Sequence, residues 1–239
     1  MPALSVWCVC TGDKYHPGYV YALREAVAKH LAVPHEFTCI TWHRLPGIET
    51  VPPPVAYPGW WSKLNLFAPG VAPGPSLYFD LDTVITGALD YLADFTVHEF
   101  AAPANWARSG YGGIQSSVMA WRGNWTAPFD KIAQEWPGTV DDGYRLLGGK
   151  RFWGDQEYLW DLLGDRWIRI PGVYSYKYHC CAGQRPADMA VCVFHGEPKP
   201  HEVHDAWILP YTSTLRSRIS QSTGNGSGAA WNATACRPR

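Results

Sequence analysis

The chain has 239 residues, 46% of them apolar, and a net charge of −1 with histidines neutral. That is enough chain for one large domain with a substantial core, and too little charge of either sign for a general polyanion binder. The charge is uneven: nothing after Asp205 is acidic, whereas Arg216, Arg218, Arg237 and Arg239 make the tail +4 and leave residues 1 to 205 at −5.

The N-terminal apolar stretch is short and is broken by Gly12, Asp13 and Lys14, which argues against a signal peptide, and no apolar run is long enough to span a bilayer. The 7 cysteines include no C-x-x-C pair and read as reduced thiols. Together these features predict a cytoplasmic protein, in which the N-x-S/T matches at Asn124, Asn225 and Asn232 carry no glycosylation. The 13 Trp and 13 Tyr serve mainly for packing, with some left as platforms for flat ligands.

In chain order, Leu4 to Cys10 reads as a strand ending in the loop Thr11-Gly12-Asp13. Tyr19, Val20, Leu23, Ala26, Val27, His30 and Leu31 recur at helical spacing, and Glu36 to Thr41 resumes strand character. This β-α-β opening favours an α/β sheet with ligands at the carboxyl ends of its strands. A proline-rich extended loop between His43 and Gly59 leads into a short helix in WWSKLNLFA.

The run YFDLDTVIT, residues 78 to 86, reads as a buried strand, with Asp80 and Asp82 on one face of its exposed tip. Two carboxylates so placed can share a divalent cation, and a cation there can grip a diphosphate. A chain of this composition shows about one D-x-D by chance, so the pattern gains weight only from its company. Gly113 to Trp121 reads as a partly buried strand, Phe129 to Glu135 as a helix, and Asp155 as the N-cap of a helix running through Leu163. Trp167 to Ile170 and Met189 to Phe194 supply later strands. The Ser-, Thr- and Gly-rich composition from Thr212 onward predicts a basic, disordered tail over 211–239, after one domain over 1–210.

Four pieces then fall in order: VCTGDKY, YFDLDTVITG, WGDQEYLW and FHGEPKPH. In that order and spacing the chain resembles the GT-A glycosyltransferases that use nucleotide-sugars, particularly the retaining group of glycogenin-like and lipopolysaccharide galactosyltransferase-like enzymes, over about residues 4 to 205. The resemblance implies a Rossmann-like single domain with a mostly parallel mixed sheet flanked by helices. It also implies a UDP-sugar donor and a Mn²⁺ (or Mg²⁺) ion held by Asp80, Asp82 and His195. An oxygen-rich set with one imidazole suits such an ion, whereas zinc draws thiolates or more histidines.

By the same resemblance, Thr11, Asp13 and Tyr15 hold uracil and ribose, Lys63 lies over the diphosphate, and Gln115 and Ser116 face the donor sugar, with Gln115-Ser116-Ser117 replacing the family's N-S-G-V-M pattern. Asp155 and Gln156 match a D-Q pair that contacts sugar hydroxyls near the anomeric carbon. Lys199 neutralises the departing phosphate from a contracted form of the family's H-x-x-G-x-x-K-P ending. An inverting enzyme needs a carboxylate base opposite the leaving group, for which Asp155 is the one well-placed residue. The resemblance implies retention instead, with a hexose delivered to an acceptor hydroxyl.

Two acceptors fit the residues. The stretch from Asp141 to Gly183 is aromatic and locally basic, with Arg145, Lys150, Arg151, Arg166, Arg169 and Lys177. The compact chain is similar to small phage-encoded members that glycosylate hydroxymethylated pyrimidines, such as 5-hydroxymethylcytosine, in DNA. In such a bacteriophage enzyme, acting in an infected-host cytoplasm, Trp106, Arg108, Trp153 and Tyr176 contact a flipped base. A glycan chain is the competing acceptor, favoured by the overall acidity. A nucleotide-sugar binder or hydrolase without transfer activity is the alternative from another class, distinguished by release of free sugar with every acceptor. Nothing in the sequence points to a protein partner.

Overall fold

The computed structural model describes residues 3–106, 112–136, 139–141, 144–180 and 183–223, the side chains of 139–141 and 221–223 excepted. Strand β1, Leu4–Cys10, runs through helix α1, Gly18–His30, into β2, His35–Thr41, and then β3, Glu49–Val51. Tyr19, Val20, Leu23 and Val27 of α1 are buried, at the spacing that puts them on one face. β4 (Ser76–Phe79), β5 (Thr83–Ile85), β6 (Ala101–Ala102) and β7 (Val118–Trp121) follow. Then come α2 (Ala127–Glu135), β8 (Thr139–Asp141), β9 (Tyr144–Leu147), β10 (Lys150–Phe152) and α3 (Asp155–Leu163). β11 (Ile168–Arg169), β12 (Val173–Ser175), β13 (Val191–Val193) and α4 (Leu209–Thr223) complete the chain of elements.

Seven strands form the central sheet in the order β11-β6-β7-β4-β1-β2-β3. β1 pairs in parallel with β2 and with β4, whereas β7 is antiparallel to β4 and β6, so the sheet is mixed, as the sequence predicts. The chain winds from β1 to β2 on one side and returns to β4 on the other. The crevice beyond the carboxyl ends of β1 and β4 is therefore the switch point at which such sheets bind ligands. Apolar cores fill both faces: one includes Val6, Cys8, Val27, Leu77 and Phe79, the other Trp7, Ile40, Tyr78, Met119 and Trp121. That pattern is the alternation of the strands β1, β4 and β7 between two covered faces.

Two expectations are corrected. The run at 78–86 is not one strand: Asp80 follows β4, Leu81 and Asp82 lie in a turn, and β5 belongs to a small separate sheet with β13 and β12. Leu81 is only 4% exposed, and this burial gives a turn the hydropathy of a strand. The predicted disorder from 211 fails over 211–223, which lie in α4; residues 224–239 lie outside the described residues. Leu215 enters the core beside α1, and Arg218 pairs with Glu25 of α1 at 2.5 Å. Tertiary packing overrides a composition of weak helix formers. Leu215→Ala is expected to lower unfolding free energy by about 2–4 kcal/mol, read from urea midpoints at constant slope.

Candidate active site

A cavity of about 450 Å³ opens at the switch point, lined by residues that include Thr11, Tyr15, Lys63, Asp80, Asp82, Trp106, Gln115, Ser116, Asp155, Gln156 and His195. All four sequence pieces reach it, because each ends or begins an element whose loop points to this edge of the sheet. Thr11 follows β1, Asp80 follows β4, Asp155 opens α3 and His195 follows β13.

Two buried ion-pair systems shape its floor. Lys63 Nζ lies 3.1 Å from Asp80 Oδ1 and 3.1 Å from Asp155 Oδ2. It also donates to Ser116 Oγ at 3.0 Å and to the Ser116 carbonyl at 3.2 Å. Ser116 Oγ donates in turn to Asp155 Oδ2 at 2.7 Å, and Tyr78 Oη donates to Asp80 Oδ1 at 2.5 Å. In the second system Lys199 Nζ lies 3.0 Å from Asp82 Oδ2, to which Tyr15 Oη donates at 2.6 Å. The contracted ending of the fourth motif brings Lys199 to Asp82 and Tyr15, which line the cavity, although Lys199 does not itself line it. Its main-chain N–H is fixed by Glu202 Oε2 at 2.7 Å.

The charges respond to these surroundings. Burial pushes all three carboxyls upward, and for Asp155 and Asp82 it prevails; at Asp82 the neighbouring Asp80 adds to it against Lys199. Asp80 ends below the ordinary carboxylate range because Lys63 and hydrogen bonds from Ser117 and Tyr78 outweigh burial. Burial, together with the charges of Lys177 and Lys199, brings His195 down to about 4, so its imidazole is neutral at pH 7.

Asp155 is not the N-cap that the sequence predicts. Gly154 occupies that position without a side-chain cap, and the Asp155 carboxylate turns inward to Lys63 and Ser116. Gln156 Oε1 accepts from Ser116 N at 3.4 Å, and Gln115 Oε1 accepts from Ser117 N at 2.5 Å. Asp13 is exposed and does not line the cavity, unlike its neighbours Thr11, Lys14 and Tyr15.

His195 Nε2 is 2.7 Å from Ser175 Oγ, with the ring stacked on Trp106 at 5.8 Å and tilted against Tyr178 at 5.4 Å. Asp80, Asp82 and His195 thus face one cavity without being gathered. Among the described residues no three His, Cys, Asp or Glu side chains form a set that could hold a metal ion. Two carboxylates and a neutral imidazole lining one cavity are nevertheless donors of the kind a hard divalent ion takes.

Of the residues assigned to an acceptor, Trp106 and Trp153 line the cavity and Arg108 lies outside the described residues. Tyr176 is a correction: it is 5% exposed, stacked on Phe194 at 4.4 Å and bonded to Asp205, hence a core residue. The basic stretch is also largely engaged. Arg145 is buried against Trp136 at 3.8 Å, Lys150 pairs with Asp161 at 2.6 Å, Arg166 pairs with Glu99 at 2.9 Å, and Arg151 sits over Tyr144 at 4.5 Å.

Sequence reasoning missed Tyr78, Ser175 and Trp60. Tyr78 stands two residues before Asp80, so strand alternation was a usable signal for it. Ser175 reaches His195 only because β12 pairs with β13, a pairing with no mark in the sequence.

No protein-family model matches the chain, and no curated protein matches it in sequence. Solved structures do match in fold. The galactosyltransferase LgtC, in complex with donor and acceptor sugar analogs, superposes with a TM-score of 0.59 at 14% identity, covering 89% of this chain and 95% of that one. The glycosyltransferase GlyE of Streptococcus pneumoniae TIGR4 gives 0.58 at 14% identity, and the bifunctional glycosyltransferase WbbM gives 0.63 at 12%. The matches cover 91% and 92% of this chain but only 63% and 51% of those two. The fold is that of the GT-A glycosyltransferases. No helix among the described residues is long and apolar enough to cross a membrane.

Proposed function

We propose that the chain is a glycosyltransferase that moves a hexose from a UDP-sugar to a saccharide hydroxyl with retention of anomeric configuration. The observation that carries this reading is the pair of buried ammonium groups, Lys63 and Lys199, set among Asp80, Asp82 and Asp155 at the switch point of a GT-A fold. A leaving UDP gains negative charge on its diphosphate as the glycosidic bond breaks, and fixed cations in a low-dielectric site stabilise that charge without reorganising. Thr11 and Tyr15, in the segment after β1, would contact the nucleoside, and Asp155, Gln156, Gln115 and Ser116 the sugar hydroxyls, a reading supported by their all lining the cavity.

Retention is favoured by the engagement of Asp155. Its carboxylate binds Lys63 and Ser116, and a general base must instead face the incoming hydroxyl. Asp80, Asp82 and His195 would hold Mn²⁺ or Mg²⁺, which when bound supplies Lewis-acid neutralisation of the diphosphate. The saccharide acceptor is preferred to hydroxymethylated DNA because Arg145 is buried on Trp136 and the exposed Lys150 and Arg166 each carry a carboxylate partner that offsets the charge a phosphate backbone would need.

The test is incubation with several UDP-sugars and Mn²⁺, offering a panel of p-nitrophenyl hexosides and hydroxymethylcytosine-containing DNA, with products read by mass spectrometry. A hexosylated glycoside is expected, and chelator is expected to suppress its formation by at least about a hundredfold. Free hexose as the sole product with every acceptor would establish a hydrolase instead.

A further inference from the structure

Trp60 and Trp153 stand on the cavity wall at 44% and 49% exposure, in contrast to Lys63, Gln115, Ser116 and Asp155, which are at most 8% exposed. The donor half of the cavity is thus deep and polar, and its mouth carries two indoles held in water.

Their positions are built rather than incidental. The rings lie 6.1 Å apart, tilted by 31°. Trp60 Nε1 donates to the Trp153 carbonyl at 3.2 Å, and the Trp153 N–H donates to Glu157 Oε2 at 2.7 Å. Tyr144 braces Trp153 edge-on at 5.2 Å. Gly154, between Trp153 and Asp155, leaves the space that Trp60 fills: a Cβ there would lie 2.6 Å from the indole nitrogen. Held in place by these contacts while about half exposed, the two indoles offer a ligand an apolar surface whose ordering entropy is already lost.

We propose that Trp60 and Trp153 form the platform on which a pyranose ring of the saccharide acceptor stacks before its hydroxyl meets the donor. This rests on the glycosyltransferase reading above. The apolar C–H face of a pyranose is weakly electropositive and complements the negative face of an indole. Its hydroxyls, at the ring edge, need acceptors and donors close by. Glu157 and Gln156 both line the cavity within four residues of Trp153. The Glu157 carboxylate at this rim opposes a polyanion, and Lys150 and Arg151, just before Trp153 in the chain, are paired with Asp161 and set over Tyr144. Trp153 stands two residues before Asp155, and both indoles line the cavity with Asp155 and Gln156, so a ring stacked there lies in the same cavity as the residues assigned to the donor sugar.

The experiment is two-substrate kinetics on wild type, Trp60→Ala, Trp153→Ala and Trp153→Phe, varying a UDP-hexose against a p-nitrophenyl hexopyranoside. The glycoside KM is expected to rise about tenfold in each alanine variant, and to stay within about threefold of wild type in Trp153→Phe, which keeps a π face. The UDP-hexose KM is expected to move by less than about twofold, since uniform loss of acceptor binding leaves donor binding in place. Wild-type glycoside KM in both alanine variants, or an increase confined to the donor KM, would overturn the platform while leaving the glycosyltransferase reading intact. Transfer to hydroxymethylcytosine-containing DNA and to no glycoside would overturn the sugar ring as occupant. Failure of the wild-type protein to turn over any UDP-hexose would retire both readings together.

Discussion

Lys63→Met is expected to destabilise the fold by about 3–5 kcal/mol and to abolish transfer. The ammonium is 6% exposed and holds Asp80 and Asp155 at 3.1 Å each. Its removal leaves two buried carboxylates with hydroxyl partners in place of a cation, and the cost is that of uncompensated charge rather than of lost contact. The pH dependence gives the cause a signature. Burial pushes the ammonium toward neutrality, yet Asp155 and Asp80 outweigh burial and raise it from 10.5 to about 12. A raised lysine pKa is stabilisation complete below the unfolded value and lost as pH rises through the folded one. The wild-type pair is therefore intact at neutral pH. In the variant, Asp80 and Asp155 can escape by protonation, so its deficit relative to wild type should narrow below about pH 5. Guanidinium midpoints at pH 8 and pH 4.5 check this, and an equal deficit at both would show that packing is at stake instead of charge.

Lys199→Ala is expected to lower kcat by about 10²–10³-fold. Lys199 Nζ is bound to Asp82, the carboxylate that would hold the diphosphate's cation in the proposed complex, and lies 3.2 Å from Tyr15 Oη. An interaction made more strongly with the departing diphosphate than with the bound donor acts on the rate and not on KM alone. Asp82 keeps its hydrogen bond from Tyr15, so the variant should fold with a smaller penalty than Lys63→Met, which strands two carboxylates. Steady-state kinetics with saturating donor test this. A kcat within about threefold of wild type would remove Lys199 from the chemistry.

The parts of the fold that were legible are those with strong composition, period or punctuation: β1 and β2 as apolar runs with β-branched and aromatic residues, α1 with buried residues at helical spacing, and α3 behind Gly154. The candidate site was legible because loops at the carboxyl ends of a parallel core converge whatever their distance in sequence, so four pieces could be read as one place. What failed did so for local reasons. Buried Leu81 made a turn look like strand, and the first-turn position of Asp155 fitted a cap until Lys63 supplied a stronger partner. The β8–β10 meander is short and partly charged, with Arg145 buried on Trp136, and so lacks a strand's hydropathy. Ser- and Thr-rich α4 is helical only because the core accepts Leu215. The lysine partners of the aspartates were invisible, since no sequence period links residue 63 to 155 or residue 82 to 199.

The most direct measurement of the central claim is calorimetric titration of the protein with UDP in the presence of Mn²⁺, on wild type and on Asp82→Asn, which keeps the shape of the Asp82 side chain. The account predicts a single site in wild type and an affinity weakened at least about tenfold in Asp82→Asn, titrated well below the variant's own thermal midpoint, which is expected to fall because Lys199 loses its carboxylate partner. Binding of equal strength in the two proteins, or none in wild type, would contradict a diphosphate site at the junction of β1 and β4.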